Sequence, residues 1–122
     1  MVVDLGLHTE SKTDLLFHAL ADATRRDIVR LVMVDEQSVS ALARRYPVSF
    51  AAVQKHVAVL ERAGLVVKRR AGREALVAAR VEAIRDAARL LDEMEALWRG
   101  RVDRFTAVLH EHFPAAPQGV AE

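Results

Sequence analysis

The stretch that most constrains this chain is PVSFAAVQKHVAVLERAGLV, from Pro47 to Val66. At a period near 3.6, Val53, Val57 and Leu60 fall on one side, and Ala63 continues the stripe. Phe50, Ala51, Gln54, Lys55, Ala58 and Arg62 fall elsewhere. Ser49 is placed as a cap whose hydroxyl accepts from an unpaired first-turn amide. Gly64 stands just past the end, where a left-handed backbone closes a helix. The spacing therefore predicts one capped helix of about four turns. It is aliphatic inside, and its outward N-terminal face is small, amide-bearing and basic. Small residues allow close approach to a DNA groove, while Gln and Lys can reach base edges and phosphates. An ordinary amphipathic surface helix shows the same periodicity, so the flanking sequence has to decide.

Upstream, Ser38 opens a shorter helix with Val39, Leu42 and Ala43 inside and Arg44 and Arg45 at its C-terminal end, where positive charge suits the dipole. Tyr46-Pro47-Val48 makes the turn, because a residue before proline is pushed out of helical geometry. Two helices joined in this way form a helix-turn-helix pattern. Downstream, Leu65 to Arg70 is β-branched and then basic. Ala71-Gly72 signals a turn, and Glu74 to Ala78 can return as a second strand. A hairpin directly after such a helix, with Arg69, Arg70 and Arg73 near its tip, reads as a wing suited to phosphate or a narrow minor groove.

The charge distribution agrees. The whole chain carries only +1, yet Arg44 to Arg73 holds eight basic residues against the single acid Glu61, a segregated +7. That is the electrostatic footprint of a phosphate-binding face. The 122 residues suit one domain. With no cysteine, disulfides and thiolate metal sites are excluded. No signal-peptide pattern opens the chain and no run nears the roughly 20 apolar residues of a membrane helix, so an intracellular, cytoplasmic location is expected.

Residues 1–10 are expected to be a loose N-terminal segment, 11–113 the folded domain, and 114–122 a mobile tail. Leu15, Leu16, Ala19 and Leu20 stripe a first short helix from about Ser11 to Ala21. Asp22 caps the next, with Ile28, Leu31, Val32 and Val34 as its inner face. Arg25 and Arg26 fall in its first turn, against the dipole, and need a compensating group such as Asp22 or a DNA phosphate. From Val81 to about Phe113 runs one long helix. Ile84, Ala88, Leu91, Trp98, Val102, Phe105 and Leu109 follow the alternating spacing of a helix-pairing seam, and Gly100 interrupts it. Three short helices and a hairpin cannot cover it. Pairing with the same helix of a second subunit is expected, assisted by Leu16 and Leu20.

The segments FHALADATRRDIV, SVSALARRYPVSFAAVQKHVAVLERAGLV, the RRAGRE hairpin and LWRGRVDRF together resemble the ArsR-type winged helix-turn-helix transcriptional regulators, in their cysteine-free branch, over about Leu15 to Phe113. The resemblance implies a mainly α fold with a small β-hairpin, a homodimer formed by the first and last helices, and repression through double-stranded DNA. By position, Ser49, Phe50, Ala51, Gln54 and Lys55 would face DNA, with His56 at the edge of that face or bracing it. Arg44 and the wing arginines Arg69, Arg70 and Arg73 would meet phosphates. Ala23 stands where the family commonly has proline, and Phe50 where a polar or basic residue is usual. Phe50 could meet a thymine methyl or blunt base readout. Ser38 and Ser40 occupy the place of the metal sensors' cysteine pair, so that site is absent.

His110 and His112, two residues apart, point to different faces and cannot readily share an ion within one helix. A site shared between subunits with Asp103 is the remaining metal possibility. No catalytic constellation, phosphate loop or cofactor motif is present. The expectation is a homodimeric DNA-binding repressor without cofactor and of unknown effector. The rivals are a winged-helix protein-interaction module anchored on Phe50 and a metal- or ligand-responsive regulator of the same fold.

Overall fold

A computed structural model describes residues 11–114. The segment 1–10, and the tail beyond Pro114, lie outside the described residues. Each early helix starts where a short polar side chain replaces a missing backbone partner. Ser11 Oγ accepts from the Asp14 amide at 3.0 Å and opens α1, Lys12–Leu20. Asp22 Oδ2 accepts from the Arg25 amide at 3.0 Å and opens α2, Ala23–Val34. Ser38 Oγ caps α3, Val39–Ala43, through the Ala41 amide. Ser49 Oγ caps α4, Phe50–Arg62, through the Ala52 amide.

α4 ends at Ala63, and Gly64 follows with φ +77°, a conformation that costs an L side chain strain. The Leu65 amide then bonds the Leu60 carbonyl, so the chain leaves the helix directly into β2, Val66–Ala71. Gly72, at φ +65°, turns it back into β3, Glu74–Ala79. β2 and β3 pair antiparallel from Val66 opposite Ala79 to Ala71 opposite Glu74. A third strand, β1 (Gln37–Ser38), pairs with the far edge of β3, giving the order β1-β3-β2. This short strand is additional to the hairpin expected from sequence. Two residues show no periodicity, and Ser38 also serves as the α3 cap.

The core is built from one face of each element. Leu16 and Ala19 of α1, Ile28, Val29 and Val32 of α2, and Val39 and Leu42 of α3 are buried. They meet Val53, Val57 and Leu60 of α4 and Leu65, Val66 and Val77 of the hairpin. Each large aliphatic side chain enclosed in this way contributes about 1.5–3 kcal/mol. α4 and the β2–β3 hairpin are therefore seated in the same core.

Three expectations are corrected. Val34 is 87% exposed, because it lies two residues and so about 200° round the helix from the buried Val32, and Val29 joins Ile28 and Val32 on the buried face instead. Leu16 is 2% exposed and belongs to its own subunit's core, not to a subunit contact. α3 ends at Ala43, so the connection to α4 runs from Arg44 to Ser49 and is longer than the three- or four-residue turn expected.

The last helix, α5, runs unbroken from Glu82 to His112. Ala83, Ile84 and Ala87 pack on the core. Residues from Ala88 onward form a second compact unit, in which the helix carries exposed Leu91, Met94, Leu97, Trp98, Val102, Phe105, Val108 and Leu109. Gly100 causes no interruption. No helix among the described residues is long and apolar enough to cross a membrane.

Candidate nucleic-acid interface

Burying Val53, Val57 and Leu60 fixes which side of α4 looks outward. Phe50, Ala51, Gln54, Lys55 and Ala58 are all exposed, in the order in which one helical face presents itself over its first turns. Phe50, the first helical residue, is 47% exposed, and Val48 just before the cap is 44% exposed. Ser49 is also exposed, but its oxygen is occupied by the Ala52 amide. Its role in the fold is the cap, which leaves its hydroxyl proton and one lone pair to offer a ligand.

His56 takes the bracing place of the two expected for it, off the DNA-facing set. Its ring is half-buried and turned toward the start of α2, with Nδ1 3.3 Å from Arg25 Nη1 and 3.9 Å from Asp22 Oδ2. The reason is the clamp made by Arg25. Its Nε donates to the Ala19 carbonyl at 2.8 Å and its Nη2 to the His18 carbonyl at 3.1 Å. Arg26 Nη1 donates to the Leu20 carbonyl at 2.7 Å. The two arginines that oppose the α2 dipole are thus compensated by carbonyls at the α1 C-terminus, where the partial charge is negative. Asp22 contributes through its cap, and the Arg25 amide holds its carboxyl below the usual range, aided by the Arg25 and His56 charges.

Sequence reasoning recognised the misplaced charges but not their partner, because α1 and α2 are separated by only Ala21 and Asp22. An arginine three residues into α2 can therefore reach straight back to the helix it follows.

On the wing, Lys68, Arg69, Arg70 and Arg73 are exposed. Arg69 is engaged: Nη2 lies 2.9 Å from Glu36 Oε1 and Nε 3.3 Å from Glu36 Oε2, a two-pronged ion pair tying the hairpin to the segment before β1. Sequence analysis missed Glu36, since the register of β1 on β3 is what sets it within reach of the Arg69 side chain across the central strand. In the turn before α4, Tyr46 donates to Asp27 Oδ2 at 2.6 Å. Burial first, and then this carboxylate, push the phenol well above its ordinary value. Arg44 is exposed at the end of α3. Among the described residues, no three His, Asp or Glu side chains are grouped to hold a metal ion.

A helix-turn-helix whose second helix runs through a glycine turn into an antiparallel hairpin is a winged helix-turn-helix domain. Comparison with known proteins agrees. A helix-turn-helix domain family model matches residues 20–69. The HTH-type transcriptional regulator Rv2034 of Mycobacterium tuberculosis is 44% identical over 66 residues, covering 54% of this chain and 62% of that protein, so the chain matches under two thirds of that relative. An ArsR-like transcriptional regulator from Rhodococcus sp. RHA1 superposes with a TM-score of 0.74 at 32% identity, over 86% of this chain and 96% of that one. A possible transcriptional regulator for arsenical resistance is 34% identical, with a TM-score of 0.58 over 77% and 94% of the two chains. The chain belongs to the ArsR family of winged helix-turn-helix regulators.

Proposed function

We propose that this protein regulates transcription, as a repressor, by binding double-stranded DNA as a homodimer in the cytoplasm. The observation that carries the reading is the outward face of α4: a small, amide-bearing and basic strip on a helix held rigidly against the core, next in sequence to an arginine-tipped hairpin. Gln54 reads a base edge, where a bidentate contact to adenine is worth about 1–3 kcal/mol of discrimination. Lys55, Arg44, Arg70 and Arg73 neutralise phosphates, Ser49 caps the reading helix, and His56 braces it. Dimerisation covers the exposed α5 stripe of Leu91, Trp98, Val102, Phe105 and Leu109, and takes in Leu20 and the partly buried Ile84 as well. Two-fold symmetry then places the half-sites of a palindromic operator about one helical turn apart. The similarity to the transcriptional regulators Rv2034 and the Rhodococcus protein supports this reading.

The test is selection of bound sequences from a random duplex pool, followed by gel shift at low and moderate salt. Enrichment of a palindromic site supports the reading. Failure to retain any duplex at low salt overturns it in favour of a protein-interaction module.

A further inference from the structure

The five exposed positions along the first turns of α4 are unusual in chemistry for a DNA reader. Phe50, Ala51 and Ala58 are apolar, and only Gln54 and Lys55 are polar. Val48, immediately before the cap, adds a fourth exposed apolar side chain, and Phe50 is nearly half exposed without a fold-stabilising role in the core. An apolar side chain cannot bond the acceptors and donors that distinguish guanine, cytosine and adenine. It can bury the one apolar group that the major groove offers, the C5-methyl of thymine. N-terminal residues of a recognition helix are the ones that reach base edges, and Phe50 is the first of them. Gln54 lies one turn further along the same face, and its amide matches the adenine edge.

We infer that Phe50 is a specificity-determining residue that reads thymine through its methyl group, and that each operator half-site carries a thymine one helical turn of protein away from the adenine read by Gln54. This rests on the DNA-binding reading above and adds to it the chemical class of base that the apolar face selects. Nothing else in the major groove rewards a phenyl ring in that place. A cytosine would present an amino group to it, and a guanine two acceptors left without a partner.

The experiment uses the full chain and a duplex pool enriched by the selection described above. The pool is copied once with thymine and once with uracil, which pairs identically but lacks the methyl. Binding of both copies is measured for the wild type and for Phe50→Ala, a surface change that leaves the core untouched. The wild type should lose about fourfold in affinity on uracil for each buried methyl, and about sixteenfold when both half-sites contribute. Phe50→Ala should bind the thymine copy more weakly and show little further loss on uracil, since the two changes remove the same contact.

Equal wild-type affinity for both copies overturns the inference and leaves DNA binding intact. An undiminished uracil penalty in Phe50→Ala shows that another residue meets the methyl, which also overturns it. Unaltered binding by Phe50→Ala takes the ring out of the DNA contact and overturns the inference too. Failure to enrich any pool removes the DNA-binding reading and this one together.

Discussion

Replacing Arg25 separates a structural arginine from a phosphate ligand, two roles that the sequence alone leaves open. Its guanidinium donates to two carbonyls at the end of α1, at 2.8 and 3.1 Å, and rests 3.3 Å from His56 on α4. Hydrogen bonds from a charged donor are worth about 1.5–3 kcal/mol each when enclosed. Arg25 is half-buried and water can reach the released carbonyls, so Arg25→Met should cost about 2 kcal/mol in total. Urea unfolding followed by far-UV circular dichroism measures it, at one fixed protein concentration because a dimer's stability depends on it. With a denaturant slope of about 2 kcal/mol per molar, the midpoint should fall by about 1 M. Arg25→Lys keeps the charge but loses the planar fork and should fall between the two. The salt dependence of DNA binding should not change in either variant. A midpoint unmoved by Arg25→Met would refute the clamp. A salt slope lowered by about one per subunit would make Arg25 a phosphate ligand after all.

Tyr46 is the only tyrosine, so its ionisation can be followed without interference. Its folded pKa is raised, so the stability it contributes is present below the ordinary phenol value and lost as pH rises through the folded value. Phenolate absorbance should therefore appear only above the ordinary phenol range, together with loss of structure, and a normal titration would sink the Asp27 contact. Glu36→Gln should release Arg69 for phosphate and steepen the salt dependence on random duplex, and an unchanged slope would mean that Arg69 does not reach DNA. Trp98, the only tryptophan and 58% exposed in the single chain, should shift its emission to longer wavelength on dilution as the dimer dissociates. A constant spectrum across the monomer–dimer transition would remove it from the seam.

What could be read in advance depended on whether a residue's role is local. Ser11, Asp22, Ser38 and Ser49 cap their helices because an oxygen reaches an amide three residues on, a relation visible in the sequence itself. Val53, Val57, Leu60 and Gly64 are equally legible, since helical periodicity and a helix's end are local too. Leu16 packs in its own core against expectation, because a stripe shows that a face is covered but not whether its own chain or another covers it. Arg69–Glu36 and Arg25–His56 join residues more than thirty positions apart, and nothing in their spacing announces them. The partner chemistry of Phe50 was open for a third reason: an outward residue is not fixed by the fold at all, so only its exposure and its neighbours on the face restrict what it meets.

These contacts also reduce the charge that can act on DNA. The segment from Arg44 to Arg73 holds eight basic residues, and sixteen phosphate contacts from a dimer would give a log–log salt slope of about −14. The structure does not deliver them all. Arg69 is bound to Glu36, and the exposed Arg45 lies outside the phosphate contacts proposed above. Arg62 sits in the last turn of α4, lining a cavity with Lys12 of α1, and Lys68 lies opposite Val77, down the hairpin from its tip. Arg44, Lys55, Arg70 and Arg73 are left on each subunit, eight contacts in the dimer, and a slope of about −7. A measured slope near the larger figure would mean that the Glu36 contact dissolves on binding and that Arg45, Arg62 and Lys68 reach phosphate as well. One near −7 would mean that the fold has already divided its arginines between holding the domain together and holding DNA.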